Sequence, residues 1–316
     1  MYRLIASSFL DLNMAVVVVG YRTYPDGDVV DQVDDLEQAA MMLVRRYPHL
    51  NNNTTKKKKE KDWLGCFLMG HSSGAHIAFL LIIRQIRREL ELIARRRSSR
   101  GNVPSSSTQP SSSLDTILSK TILQFNNFVG LSGVYDINHH FDFEAGRGVE
   151  EISPMKPACG YTRESFQKHS PTVELSRLQI GIVGSNVSAV TNEKEMNDNN
   201  DGVRMSSFPR FLLIHGMHDS TVPFTSTANV AHAIRACGVS KSQCREVYLP
   251  GLEHIDVAFH LMLGGLTRDL VREWIVGDGG GDEGSSSGDE IDDDDGFKKG
   301  PTSFRHPIAS ASISKL

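Results

Sequence analysis

Apolar residues along this 316-residue chain alternate between two spacings. Short β-branched or apolar runs, which predict strands, occur at Ala15–Gly20, Trp63–Met69, Phe125–Leu131, Phe208–His215 and Arg245–Leu249. Helical spacing falls between and around them: near Tyr2–Leu12, over Val33–Arg46 with Leu36, Ala39, Ala40 and Leu43 on one face, and over Gly74–Arg96. It returns over Ser226–Ala236 and from about Ile255 to Ile275. Strands separated by helical patterns predict βαβ units, hence a parallel sheet covered by helices on both faces. The fold class read from the pattern is α/β.

Three stretches break the alternation. Residues 51–61 are rich in Asn, Thr and Lys, 98–113 in Ser and Pro, and 185–206 in Asn and Asp, so each reads as an insertion with little apolar surface to bury. One domain over 1–276 is expected around them, followed by an acidic, disordered tail over 277–316. That tail accounts for the net charge of −4. Asp278 to Asp295 hold nine acidic residues and no basic ones, while Lys298, Lys299, Arg305 and Lys315 follow. Residues 1–277 then carry 30 basic and 29 acidic side chains, a balance that argues against nucleic acid as a partner. The basic clusters Lys56–Lys59 and Arg95–Arg97 read as solvated charge. No apolar run approaches the ~20 residues that span a bilayer, and no secretory signal is read at the N-terminus. Cys66, Cys159, Cys237 and Cys244 lack zinc-site spacing and read as reduced thiols.

The chemistry concentrates in three places. Gly70-His71-Ser72-Ser73-Gly74 lies between an apolar strand and a helix. There a tight turn needs small flanking residues, lifts a serine hydroxyl above the sheet edge and aims helix amides at developing negative charge. A serine becomes nucleophilic only when a base takes its proton and an acid holds that base's tautomer. Asp219 follows the strand that ends in His215-Gly216, and His254 follows the strand after it, inside Pro250-Gly251-Leu252-Glu253-His254. Ser72, Asp219 and His254 thus stand in the chain order Ser, acid, His, each just past a strand end. Ser73 would supply an oxyanion amide. His215 is expected to pack or bond locally, His71 and His76 to be packing or pocket residues, and Glu253 and Asp256 to face solvent. His139, His140, Asp142 and Glu144 lack the spacing of a metal site, so neither a metal nor an organic cofactor is expected.

On these residues the chain resembles the α/β-hydrolase superfamily, and more narrowly the isoprenylcysteine α-carbonyl methylesterases with their kynurenine-formamidase-like relatives. The resemblance rests on Gly20-Tyr21-Arg22-Thr23-Tyr24-Pro25-Asp26-Gly27, on Gly70–Ala78, on Leu131–Asp136 with Ser153-Pro154 and Ser170-Pro171, on His215–Asp219 with Thr221-Val222-Pro223, and on Gly251–His254. It implies a serine hydrolase acting on a small or lipid-like carboxylic ester, with Tyr21, His71 and Ser73 at the oxyanion and substrate side. A cap or lid over about 138–168 is implied too, for which Phe141, Phe143 and Tyr161 are candidate pocket aromatics. The family's His-Gly-Gly-Gly-type oxyanion loop has no counterpart between Met1 and Val16, so the leading strands and that loop are expected to be missing from an incomplete N-terminus. Two alternatives stay open: a formamidase or amidase with the same triad, and a non-catalytic relative. The chain ends in Ser314-Lys315-Leu316, the form of a peroxisomal import address, with a cytoplasmic location as the alternative. The sequence carries no reading of oligomeric state.

Overall fold

The computed structural model describes residues 2–51, 65–100, 123–178 and 208–277. The three insertions fall almost wholly outside these residues, and the tail beyond Gly277 lies outside them. Four parallel strands form the sheet in the order β1 (Phe67–His71), β2 (Asn127–Leu131), β3 (Arg210–Gly216) and β4 (Cys244–Leu249). The register aligns Gly70 with Gly130, Leu131 with Ile214 and Gly216 with Leu249, which brings the C-terminal ends of all four strands to one edge. Crossings between neighbours run through α3 (Ser73–Arg100) and α7 (Thr225–Ala236), so parallel pairing follows from the alternation in the sequence.

Strand periodicity divides the core into two layers. Phe128, Phe211 and Leu213 point to one face, where they meet α2 (Val29–Arg46), α3 and α7. Val129, Leu131, Leu212 and Ile214 point to the other, against α1 (Tyr2–Ser7), α8 (His254–Leu263) and α9 (Leu266–Gly277). Every one of these seven strand side chains is buried, as a sheet covered on both faces requires. Between β2 and β3 lie α4 (Ile137–Gly146), α5 (Met155–Ala158), α6 (Arg163–Lys168) and a helical stretch over 171–178, which occupy the expected cap region. There Phe141 packs on Phe166 with ring centroids 5.3 Å apart, a core role, whereas Tyr161 is exposed and its hydroxyl lies 3.3 Å from that of Tyr24.

Three elements depart from the pattern reading. Residues 15–20 form no strand. Val16, Val17 and Val18 are exposed, and none of the four described strands pairs with them. A β-branched run becomes a strand only when a neighbour supplies the ladder and a packed face. Helix α2 begins at Val29 rather than Val33, because Asp28 and Asp31 form a reciprocal cap: the Asp28 carboxylate accepts from the Val30 and Asp31 amides, and Asp31 accepts from the Asp28 amide. The last helix is two helices. Gly264 and Gly265, at φ 101° and 148°, break it where a side chain would be strained.

Candidate active site

Strand β1 delivers Ser72 into a sharp turn. Ser72 sits at φ 56°, in the left-handed region that costs a non-glycine residue energy. Its amide donates to Leu131 O at 2.9 Å, and its carbonyl accepts from Ala75 and His76, so α3 starts at once. A Cβ on Gly70 would stand 2.4 Å from the carbonyl carbon and oxygen of Gly74, which is why the turn needs glycine there. The first amides of a helix have no intrahelical acceptor, so the Ser73 amide beside the half-buried Ser72 hydroxyl suits an oxyanion. Tyr21 joins the group with its hydroxyl 3.5 Å from Ser73 Oγ.

The acid and base come together from two neighbouring strand ends. His254 Nδ1 donates to Asp219 Oδ2 at 2.7 Å. The other carboxylate oxygen, Oδ1, accepts from the Thr221 and Val222 amides at 2.9 and 2.8 Å. Burial alone would raise the Asp219 carboxyl, but hydrogen bonds from His215, His254 and the Val222 amide overcome it and hold it well below the usual carboxylate range. The two loops can approach because residue 216 is glycine: a Cβ there would lie 2.3 Å from Leu252 O. They are tied further by Glu253, whose carboxylate accepts from the Ser220 amide and hydroxyl, and which forms a reciprocal cap with Asp256 at the start of α8. Glu253 and Asp256 therefore brace the base loop, beyond the solvent-facing role read from the sequence. A helix starting at position 254 would have revealed the cap.

His71 links the serine turn to the base. Its Nε2–H donates to His254 O at 3.0 Å, and the two rings stand 4.8 Å apart, centroid to centroid. Among the described residues Ser72 Oγ makes no hydrogen bond to His254; such pairs are often loose without substrate. His76, one turn along α3, donates from Nε2 to His169 O at 2.7 Å. His140 instead faces Glu144 at 3.3 Å, and among the described residues no group of three or more His, Cys, Asp or Glu side chains could hold a metal. Among the described residues no cysteine is in a disulfide, and burial pushes the thiols of Cys159, Cys237 and Cys244 upward.

Burial pushes both His71 and His76 down to about 4, the nearby carbonyl bonds notwithstanding. Between pH 6.5 and 4 the unfolded chain thus binds protons that the folded chain refuses, so stability falls as pH falls through that window. At pH 5 each imidazole accounts for about 2 kcal/mol of the loss. Urea midpoints at pH 7 and pH 5 should show it, and His76→Gln should reduce the difference. Equal midpoints at the two pH values would refute the account.

No family model matches the chain. It is 23% identical over 272 residues to an isoprenylcysteine alpha-carbonyl methylesterase of Arabidopsis thaliana, covering 86% of this chain and 50% of that protein. It is 21% identical over 272 residues to a probable isoprenylcysteine alpha-carbonyl methylesterase of Oryza sativa subsp. japonica, with 86% and 51% covered. The chain therefore spans about half the length of the curated relatives it matches. Among solved structures it is similar to an acetyl ester-xyloside bifunctional hydrolase of Caldicellulosiruptor lactoaceticus, with TM-score 0.47, 14% identity, and 86% of this chain and 72% of that one covered. The two plant relatives carry the name of the family that the sequence resembles.

Proposed function

We propose that this chain is a serine hydrolase of carboxylic esters, with Ser72 as nucleophile, His254 as general base and then acid, and Asp219 as the residue that holds the His254 tautomer. The observation that carries the reading is the 2.7 Å bond from His254 Nδ1 to Asp219 Oδ2, with the His254 carbonyl held by His71, the residue just before a serine at φ 56°. In the first half-reaction Ser72 Oγ attacks the ester carbonyl while His254 Nε2 takes its proton. The Ser73 amide binds the resulting oxyanion, and the alkoxide leaves with the proton returned by His254. In the second, water gives its proton to His254, attacks the acyl-serine and frees the carboxylic acid and Ser72. Asp219 stays ionised and stabilises the imidazolium throughout. Names of the relatives favour a methyl or other small alkyl ester on a lipid-like acid.

Purified chain should hydrolyse p-nitrophenyl acetate, and hydrolyse it faster than N-formyl-aniline. A reversed preference would move the reading to a formamidase. A folded chain that hydrolyses neither substrate would overturn the ester-hydrolase reading in favour of a non-catalytic relative. Ser314-Lys315-Leu316, which lie outside the described residues, support delivery to peroxisomes by an import receptor. A fluorescent protein carrying the last twelve residues should become punctate with a peroxisomal marker and disperse when those three are removed; a diffuse signal in both would refute it.

A further inference from the structure

The buried His215 is more than a local packing residue. Its side chain is wholly buried, and both ring nitrogens are engaged. Nε2 faces two acceptors, Val222 O at 3.0 Å and Asp219 Oδ2 at 3.1 Å, neither of which has a proton to give. Nε2 therefore carries the ring proton. In the singly protonated ring Nδ1 then accepts, and the Thr227 hydroxyl, 2.8 Å away at the start of α7, donates to it. Asp219 Oδ2 is consequently held by two imidazoles at once, His254 on the open side and His215 on the buried side. With two backbone amides on Oδ1, the carboxylate has its full set of about four acceptor sites filled.

We propose that His215 is a positioning residue of the site, which through its Nε2–H fixes the Asp219 carboxylate and so aims His254, with Thr227 setting the His215 tautomer. The two amides fix only one oxygen. A torque on the other, from His254 as it gains and loses a proton, is resisted by His215 alone among the described side chains. Because Thr227 belongs to α7, the clamp ties the acid loop to the helix layer beneath it. This inference rests on the ester-hydrolase reading for its kinetic arm and has a second arm that does not.

The test uses the purified full chain with His215→Phe, His215→Gln and Thr227→Val. His215→Gln keeps a donor near the Nε2 position, and His215→Phe has none. On p-nitrophenyl acetate, His215→Phe should lower kcat about 10- to 100-fold, as loss of an orienting partner does elsewhere, with KM little changed. His215→Gln should recover most of that loss, and Thr227→Val should fall between. The independent arm is the low-field proton resonance of the His254–Asp219 hydrogen bond, which should shift in His215→Phe and return toward the wild-type position in His215→Gln. Should His215→Phe fail to fold, Thr227→Val decides against wild type by the same two readouts. Wild-type kcat and an unmoved resonance in the folded variants would overturn the proposal. So would equal losses in Phe and Gln variants that track their melting temperatures. A wild-type chain without hydrolysis would remove the ester-hydrolase reading, and the resonance would still decide the clamp.

Discussion

Ser72→Ala is expected to abolish ester hydrolysis, with kcat down by about 10⁴-fold or more, because removing a triad member leaves only binding and oxyanion stabilisation. The physical case is local. Ser72 is the residue that the chain holds at φ 56° between a strand and a helix, and the turn is closed so tightly that Gly70 could not carry a Cβ. Strain of this kind persists when surrounding structure enforces it, here through the Leu131 carbonyl on one side and the first turn of α3 on the other. Alanine fits the same backbone, so Ser72→Ala should fold and melt like wild type while losing reaction with a fluorophosphonate. That separation matters: a loss of activity shared with a fall in melting temperature would be a folding defect. Residual hydrolysis within tenfold of wild type would show that the nucleophile lies elsewhere.

Much of the candidate site is legible in the chain, and the reasons are specific. Ser72, Asp219 and His254 each follow an apolar run that ends a strand, and parallel strands bring their C-terminal ends to one edge, so chain order becomes proximity. The braces were not legible. His71 acts through the carbonyl of His254, 183 positions away, and Glu253 through the amide of Ser220; such contacts depend on how two loops pack. His215 sits in an apolar run, and its bond to Asp219 at the i,i+4 position arises because the chain leaves the strand at Gly216 and turns back. Residues 15–20 mislead for the opposite reason. Their composition is that of a strand, but a strand is a property of a pair, and no described partner lies beside them.

Asp219→Asn should be nearly as damaging as loss of the serine, at about 10⁴-fold in kcat, and for a reason this site makes sharper than tautomer choice alone. The carboxylate here accepts four N–H donors: two amides on Oδ1, and His215 and His254 on Oδ2. An asparagine offers one acceptor oxygen and one NH₂ group. If its oxygen stays on the amides, its NH₂ faces the protonated nitrogens of two imidazoles. Relief then requires His254 to present an unprotonated Nδ1, which puts its proton on Nε2, where the Ser72 proton has to go. If instead its oxygen faces the imidazoles, its NH₂ faces two backbone donors that cannot move away. The first arrangement sets the asparagine NH₂ against the His215 Nε2–H, and the second leaves buried donors unpaired, each worth about 1–3 kcal/mol. Asp219→Asn should therefore lose stability as well as activity, whereas Ser72→Ala loses activity alone. Hydrolysis measured beside urea midpoints distinguishes the two. An Asp219→Asn protein that keeps wild-type kcat would remove Asp219 from the triad. One that is inactive but fully stable would mean that the four-donor cradle around the carboxylate is not formed.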